Sequence, residues 1–176
     1  MSDAPLPPAD LVAALPRLRR YARVLTGDAA RADDLVADTL ARGWEKRRLW
    51  RAGSDLRAWL FTIMHNVHVN QRAVNMRDAA TLSLDTSSDG GESWQVPVPA
   101  TQYARVELAE LLAQVGRLPL DQRETLILAA VEEMTYDEIA RVLAVPIGTV
   151  MSRLSRARAK LRRMADEPAP ALKRVK

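Results

Sequence analysis

Along most of this chain the apolar residues recur at three- and four-residue steps, and no stretch alternates them two by two over any length. That periodicity predicts helices and no sheet, so the expected fold class is all-α. The first helix is read from Asp10 through Leu11, Leu15, Leu18, Ala22 and Leu25, with Pro16 as a kink or a fresh start. Gly27 suits its C-terminal stop and Asp28 the N-cap of a second helix over about 28–48. Leu35, Val36, Thr39, Leu40 and Trp44 make the buried side of that second helix. A third is expected from Asp55 to Met76, capped by Ser54, with Leu56, Trp59, Leu60, Ile63, Met64 and Val67 as its core stripe. Helices resume at Ala104, where Val106, Leu108, Leu111, Leu112 and Val115 mark one ending near Gly116. Another spans Asp121–Val131, with Asp121 and Glu124 at cap spacing and Leu126, Ile127 and Ala130 inward.

The stretch Thr135–Arg163 carries the sharpest pattern. Thr135 and Glu138 have capping-box spacing, and Ile139, Ala140 and Leu143 share a face. Pro146 requires the first helix to stop before it. In the next helix Val150, Leu154, Ala157 and Leu161 form one stripe, while Ser152, Arg153, Ser155, Arg156, Arg158, Lys160, Arg162 and Arg163 cover the other faces. A short helix, a turn and a basic second helix make a helix-turn-helix, whose second helix suits the DNA major groove. The same charges would also suit an ordinary solvated face.

Between the helical runs, residues 78–103 hold Ser, Thr, Gly and Pro with Asp78, Asp85, Asp89 and Glu92, and no Lys or Arg. This composition predicts a flexible acidic linker, within which Trp94 and Val96 are candidates for local docking. A loop of that length inside one compact domain is unusual, so the chain divides there. The expected organisation is a flexible N-terminus 1–9, a helical domain 10–77, the linker 78–103, a helix-turn-helix domain 104–164 and a flexible tail 165–176.

Polar clusters supply the candidate chemistry. Asp34 and Asp38 lie four apart on the second helix, too far along for the dipole to explain both. Spacing alone leaves them a solvated acidic face or a docking face for a basic partner. On the third helix His65, Asn66, His68, Asn70, Gln71, Arg72, Asn75 and Arg77 follow the apolar stripe, and amides with arginines can read bases and phosphates. The two histidines are three apart, yet no third metal ligand stands near them. No Gly-rich phosphate loop and no order of Ser, His and Asp suggests catalysis, and no cofactor is expected.

Composition narrows the class only a little. Of the 176 residues 48% are hydrophobic and 27% charged, an ordinary soluble balance. The absence of cysteine excludes disulfides and thiolate metal sites and fits the cytoplasm. No apolar run is long enough to span a membrane, and MSDAPLPPAD lacks the parts of a secretory signal. A net charge of +4 favours a polyanionic partner weakly.

Two helical modules, an acidic connection and a terminal helix-turn-helix resemble the extracytoplasmic-function (ECF) sigma factors of bacterial RNA polymerase. ADDLVADTLARGWEK (32–46), DLRAWLFTIMHNV (55–67) and LPLDQRETLILAAVEEMTYDEIARVLAVPIGTVMSRLSRARAKLR (118–162) carry the resemblance. ALPRLRRYARVLTGD is similar to the alphaproteobacterial general-stress group. The resemblance implies an alternative sigma factor that binds core polymerase, opens the −10 element and directs initiation, with no bond chemistry of its own. By the same resemblance, Asp34 and Asp38, with Leu35 between them, are core-polymerase contacts, and the usual Gln is Ala37 here. Asn66 and the loop ending at Ser54 match the pocket for a flipped −10 base, and Asn70 and Arg72 adjoin it. Thr149, Ser152, Arg153, Ser155 and Arg156 match positions that meet the −35 element, where Met151 replaces the family's usual cation. The linker resembles the segment that threads the RNA exit region. An anti-sigma factor is an implied partner; membrane insertion and an obligate homo-oligomer are not. The competing readings are a polymerase-independent helix-turn-helix regulator, which would need a dimer interface, and a sigma mimic, which would lack the recognition-helix arginines.

Overall fold

A computed structural model describes residues 7–51, 53–81 and 110–166. These residues form helices and no strand: α1 (Pro8–Thr26), α2 (Ala29–Glu45), a 3-10 turn (Arg47–Leu49), α3 (Leu56–Thr81), a helical stretch over 110–116, α4 (Leu120–Ala130), α5 (Tyr136–Leu143) and α6 (Ile147–Asp166). The all-α expectation is met among them.

Local chemistry sets most boundaries. Gly27 ends α1 at φ 72, a left-handed conformation that costs glycine nothing, and its N–H donates to Arg23 O. Asp28 then caps α2, its carboxylate accepting from Arg31 N at 2.7 Å. Pro16 does not restart α1, which continues through it. Leu11, Ala14, Leu15 and Leu18 all pack on the core, and that burial outweighs one missing hydrogen bond. Past Glu45 the second helix tightens into the 3-10 turn, earlier than its polar run suggested. Asp55, not Ser54, caps α3: its carboxylate accepts from Arg57 N and Ala58 N. Ser54 instead donates to Arg51 O and closes the loop.

α3 continues to Thr81, so residues 78–81 of the expected linker are helical. The rest of that linker, with Trp94 and Val96, lies outside the described residues, as do the start of the helix expected from Ala104 and residues 1–6 and 167–176 of the expected termini; α1 already begins at Pro8 and α6 runs to Asp166. The cap expected from Asp121 and Glu124 does not form. α4 begins one residue earlier, after Pro119, and has no side-chain cap. The Thr135–Glu138 capping box does form on α5, in both directions. Glu138 has its pKa lowered by hydrogen bonds from the Thr135 backbone and side chain.

α1, α2 and α3 pack side by side around Leu18, Tyr21, Leu35, Leu60, Phe61 and Met64. The rings of Tyr21 and Phe61 lie 4.9 Å apart and tilted. Gly43 allows α2 and α3 to approach closely, since a Cβ there would stand 3.3 Å from Leu60 Cδ2. Trp44, expected inside, is 46% exposed, and the Arg47 guanidinium stacks 4.7 Å over its ring. Trp44 directly follows Gly43 and lies about 100° further round the helix, so with Gly43 on the α3 seam the indole is turned outward.

α4, α5 and α6 form the second group, packed through Leu128, Ile139, Val142, Leu143, Val150, Leu154 and Ala157. The two groups share one continuous core, with α1 against α4 and α3 against α5. Polar contacts cross this seam. The Tyr21 hydroxyl donates to Glu124 Oε1, and His65 Nδ1 stands 2.7 Å from the same oxygen. Arg57 Nη1 donates to the main-chain oxygen of Glu132 at 2.6 Å. The Glu132 carboxylate, 1% exposed, faces Arg17 at 3.9 Å and Arg20 at 3.8 Å.

Candidate functional site

The candidate residues fall on separate faces rather than in one cleft. On α2, Asp34 and Asp38 are both exposed, four residues apart and on the same side. Ala37 is exposed between them. Leu35 is a correction: it is 1% exposed and belongs to the core. A helix that buries one stripe must turn the residues beside it outward. Leu35 therefore fixes how the acidic pair is displayed and offers no side chain to a partner.

Asp38 is tied into the body. Its Oδ2 accepts from Gln71 Nε2 of α3 at 2.8 Å. Gln71 stands in the polar run that the sequence marked on α3, but its bond to the acidic helix was not foreseen. This bond joins the acidic face to the amide face of α3, where Asn66, Asn70 and Arg72 are exposed. Ser54 is exposed too, in the loop that precedes α3.

The histidines flanking Asn66 do different work. Among the described residues no group of three or more His, Asp or Glu is placed to hold a metal. His65 is engaged by Glu124 across the seam. His68 is buried, its Nε2 has no partner among the described residues, and its pKa is lowered to about 4. Desolvation is the main cause; Arg72 and His65 act the same way, and Glu124 opposes them.

The helix-turn-helix is built as its pattern demanded. Ala144 closes α5 in the left-handed region at φ 52, and Pro146 lies in the turn before α6. Val150, Leu154 and Ala157 anchor α6 inward. Ser155 and Arg156 are exposed, whereas Thr149, Ser152 and Arg153 are half-buried. Ser152 Oγ donates to Thr149 O at 3.0 Å, and Arg153 Nε lies 3.4 Å from Asp121 Oδ2 of α4. Tyr136, Met151, Leu154, Ser155, Arg158, Ala159 and Arg162 line a shallow cavity along the outer side of α6. Tyr136 was missed in the sequence because it belongs to the preceding helix and only the turn brings it there.

Residues 11–65 match the family described as the Sigma2 domain of PhyR, and residues 108–161 match Sigma-70, region 4. The chain is 38% identical over 152 residues to the ECF RNA polymerase sigma factor EcfG of Rhodopseudomonas palustris (strain TIE-1), covering 86% of this chain and 81% of that one. The chain belongs to the ECF sigma factors. The sigma factor is also 33% identical to the RNA polymerase sigma factor CnrH of Cupriavidus metallidurans, over 76% of this chain and 73% of that one. Its fold is similar to that of the sigma factor RpoE from Bartonella quintana, solved with the anti-sigma factor NepR. That likeness has a TM-score of 0.72 at 34% identity and covers 92% of this chain and 97% of the other. As a sigma factor it is a transcription initiation factor that works with RNA polymerase in promoter recognition. The reading as a polymerase-independent regulator is thereby set aside. No helix of the described residues is long and apolar enough to cross a membrane.

Proposed function

We propose that this sigma factor acts in the cytoplasm without bond chemistry of its own, docking on core RNA polymerase through Asp34 and Asp38. Asn66 takes a flipped −10 base beside the Ser54 loop, with Asn70 and Arg72 on the adjoining strand. The α6 face carrying Ser155 and Arg156 enters the −35 major groove, with Thr149, Ser152 and Arg153 at its edge. The observation that carries this reading is the Asp38–Gln71 bond, which holds the acidic face of α2 and the amide face of α3 in one rigid relation. Binding polymerase through the first then orients the second toward DNA.

Reading both elements requires the two groups to part. The −35 and −10 elements lie roughly 80 Å apart along the duplex. Helices packed in direct contact stand about 10 Å apart axis to axis, and here α3 contacts α5, which contacts α6. Opening along the α1–α4 seam lets one chain touch both. The relative solved with NepR supports an anti-sigma partner for this chain as well.

The test is a titration of core polymerase with the wild-type chain and with Asp34→Asn/Asp38→Asn. The double variant should bind core about tenfold more weakly while its affinity for an isolated −35 duplex stays the same. Unchanged core affinity would overturn the docking assignment. Transcripts made from genomic fragments by sigma-free core plus this protein should begin at discrete sites sharing two spaced elements.

A further inference from the structure

The leading end of α6 is the part of a recognition helix that meets base edges. Its first two turns present an unexpected surface here. Val150 and Leu154 are buried, Ser152 is bonded to Thr149, and the Arg153 guanidinium is held at Asp121. What remains outward is Ile147, 39% exposed, and Met151, 49% exposed, one turn apart with only Gly148 beside them. Behind this apolar pair the exposed polar residues up to position 163 are Ser155, Arg156, Arg158, Arg162 and Arg163. A lone exposed apolar side chain on a surface means little. This pair sits where the helix would enter the groove, ahead of the basic stretch of α6.

We infer that Ile147 and Met151 form an apolar reader for a thymine 5-methyl group in the −35 element. A thioether side chain neither neutralises phosphate nor donates to guanine, but it packs well on a methyl group. In the major groove thymine is the base that offers one. The pair therefore selects an A·T pair at one position, where a cation at position 151 would favour guanine. The inference rests on α6 being the −35 reader and adds a base identity to it.

The full chain is loaded on sigma-free core polymerase, and its promoters are found by mapping transcript starts. Each thymine of the −35 element, on either strand, is then replaced by deoxyuridine, which removes only the methyl group. At one position the holoenzyme should lose about fourfold in affinity, the worth of one methyl taken from water. The Met151→Ala holoenzyme should bind thymine and uracil promoters alike, and Ile147→Ala should show a smaller loss of preference. The inference fails if every deoxyuridine duplex binds as well as its parent, if Met151→Ala keeps the thymine preference, or if the element contains no A·T pair. A scrambled −35 duplex separates the two levels. Binding that survives scrambling overturns the −35 reading itself, whereas binding lost on scrambling but indifferent to uracil overturns only the methyl reader.

Discussion

His65 Nδ1 of α3 and Glu124 Oε1 of α4 lie 2.7 Å apart, and the Tyr21 hydroxyl of α1 donates to the same carboxylate oxygen. Glu124 is 5% exposed, and these two partners from the other half of the molecule supply its hydrogen bonds. Burial and the neighbouring carboxylate hold Tyr21 well above the ordinary phenol pKa, so it remains a donor. Glu124→Ala leaves a buried hydroxyl and an imidazole without their acceptor and should cost roughly 1–3 kcal/mol in urea unfolding. Tyr21→Phe should cost less, about 1 kcal/mol, because His65 still faces the carboxylate. Equal losses from the two variants would mean the carboxylate is not shared.

Two buried groups set opposite pH dependences. His68, with its pKa lowered to about 4, binds a proton in the unfolded chain before the folded one does. Its contribution is present above the ordinary histidine pKa of about 6.5 and is lost as pH falls from there toward 4. Glu132 has its pKa raised, by desolvation first, with Arg20, Arg17 and Arg57 opposing. Its contribution is present below the unfolded carboxylate pKa and is lost as pH rises through the raised value. His68→Leu should therefore flatten the fall in Tm between pH 6.5 and 4.5. Glu132→Gln should be at least as stable as wild type at pH 7 and lose its stabilising effect at low pH. A Glu132→Gln protein much less stable at pH 7 would show that the arginines at 3.8 and 3.9 Å outweigh burial.

Gly43 sets the α2–α3 distance. Alanine there gains helix propensity of about 1 kcal/mol but meets Leu60 Cδ2 at 3.3 Å, a flexible side-chain end that can give way. Gly43→Ala should fall within about 1 kcal/mol of wild type in thermal unfolding, since these effects oppose each other. Gly43→Leu has no such space and should cost about 2–3 kcal/mol.

Arg153 and Arg156 share a helix and a charge but not a setting. Arg153 is held at Asp121, whereas Arg156 is exposed. Arg156→Ala should lower promoter discrimination by roughly 1–3 kcal/mol in competition binding against random duplex. Arg153→Ala should act chiefly on stability through the lost contact with α4, with a smaller effect on discrimination. The reverse order would mean that Arg153 leaves Asp121 when DNA binds.

What the sequence determined by itself was everything governed by short-range chemistry. Periodicity named the helices, Gly27 and Asp28 placed a boundary between two of them, and Thr135, Glu138 and Pro146 shaped the helix-turn-helix. These features act within four residues, so a linear pattern contains them. The resemblance of three stretches carried the family as well. The tertiary structure alone decided which polar residues were spent inside. Glu124 read as a cap and became the acceptor at a buried seam, because α4 begins after Pro119 without a side-chain cap and the packing of α1 and α3 brings Tyr21 and His65 to that carboxylate. Leu35, placed by its pattern in the buried stripe and by the resemblance among the contacts, is buried, and Trp44, placed in the same stripe, is exposed. Arg153, placed by resemblance among the −35 contacts, lies against Asp121 of α4. In each case the partner lies on another helix, and a side chain's direction depends on packing angles and distances that no single helix encodes.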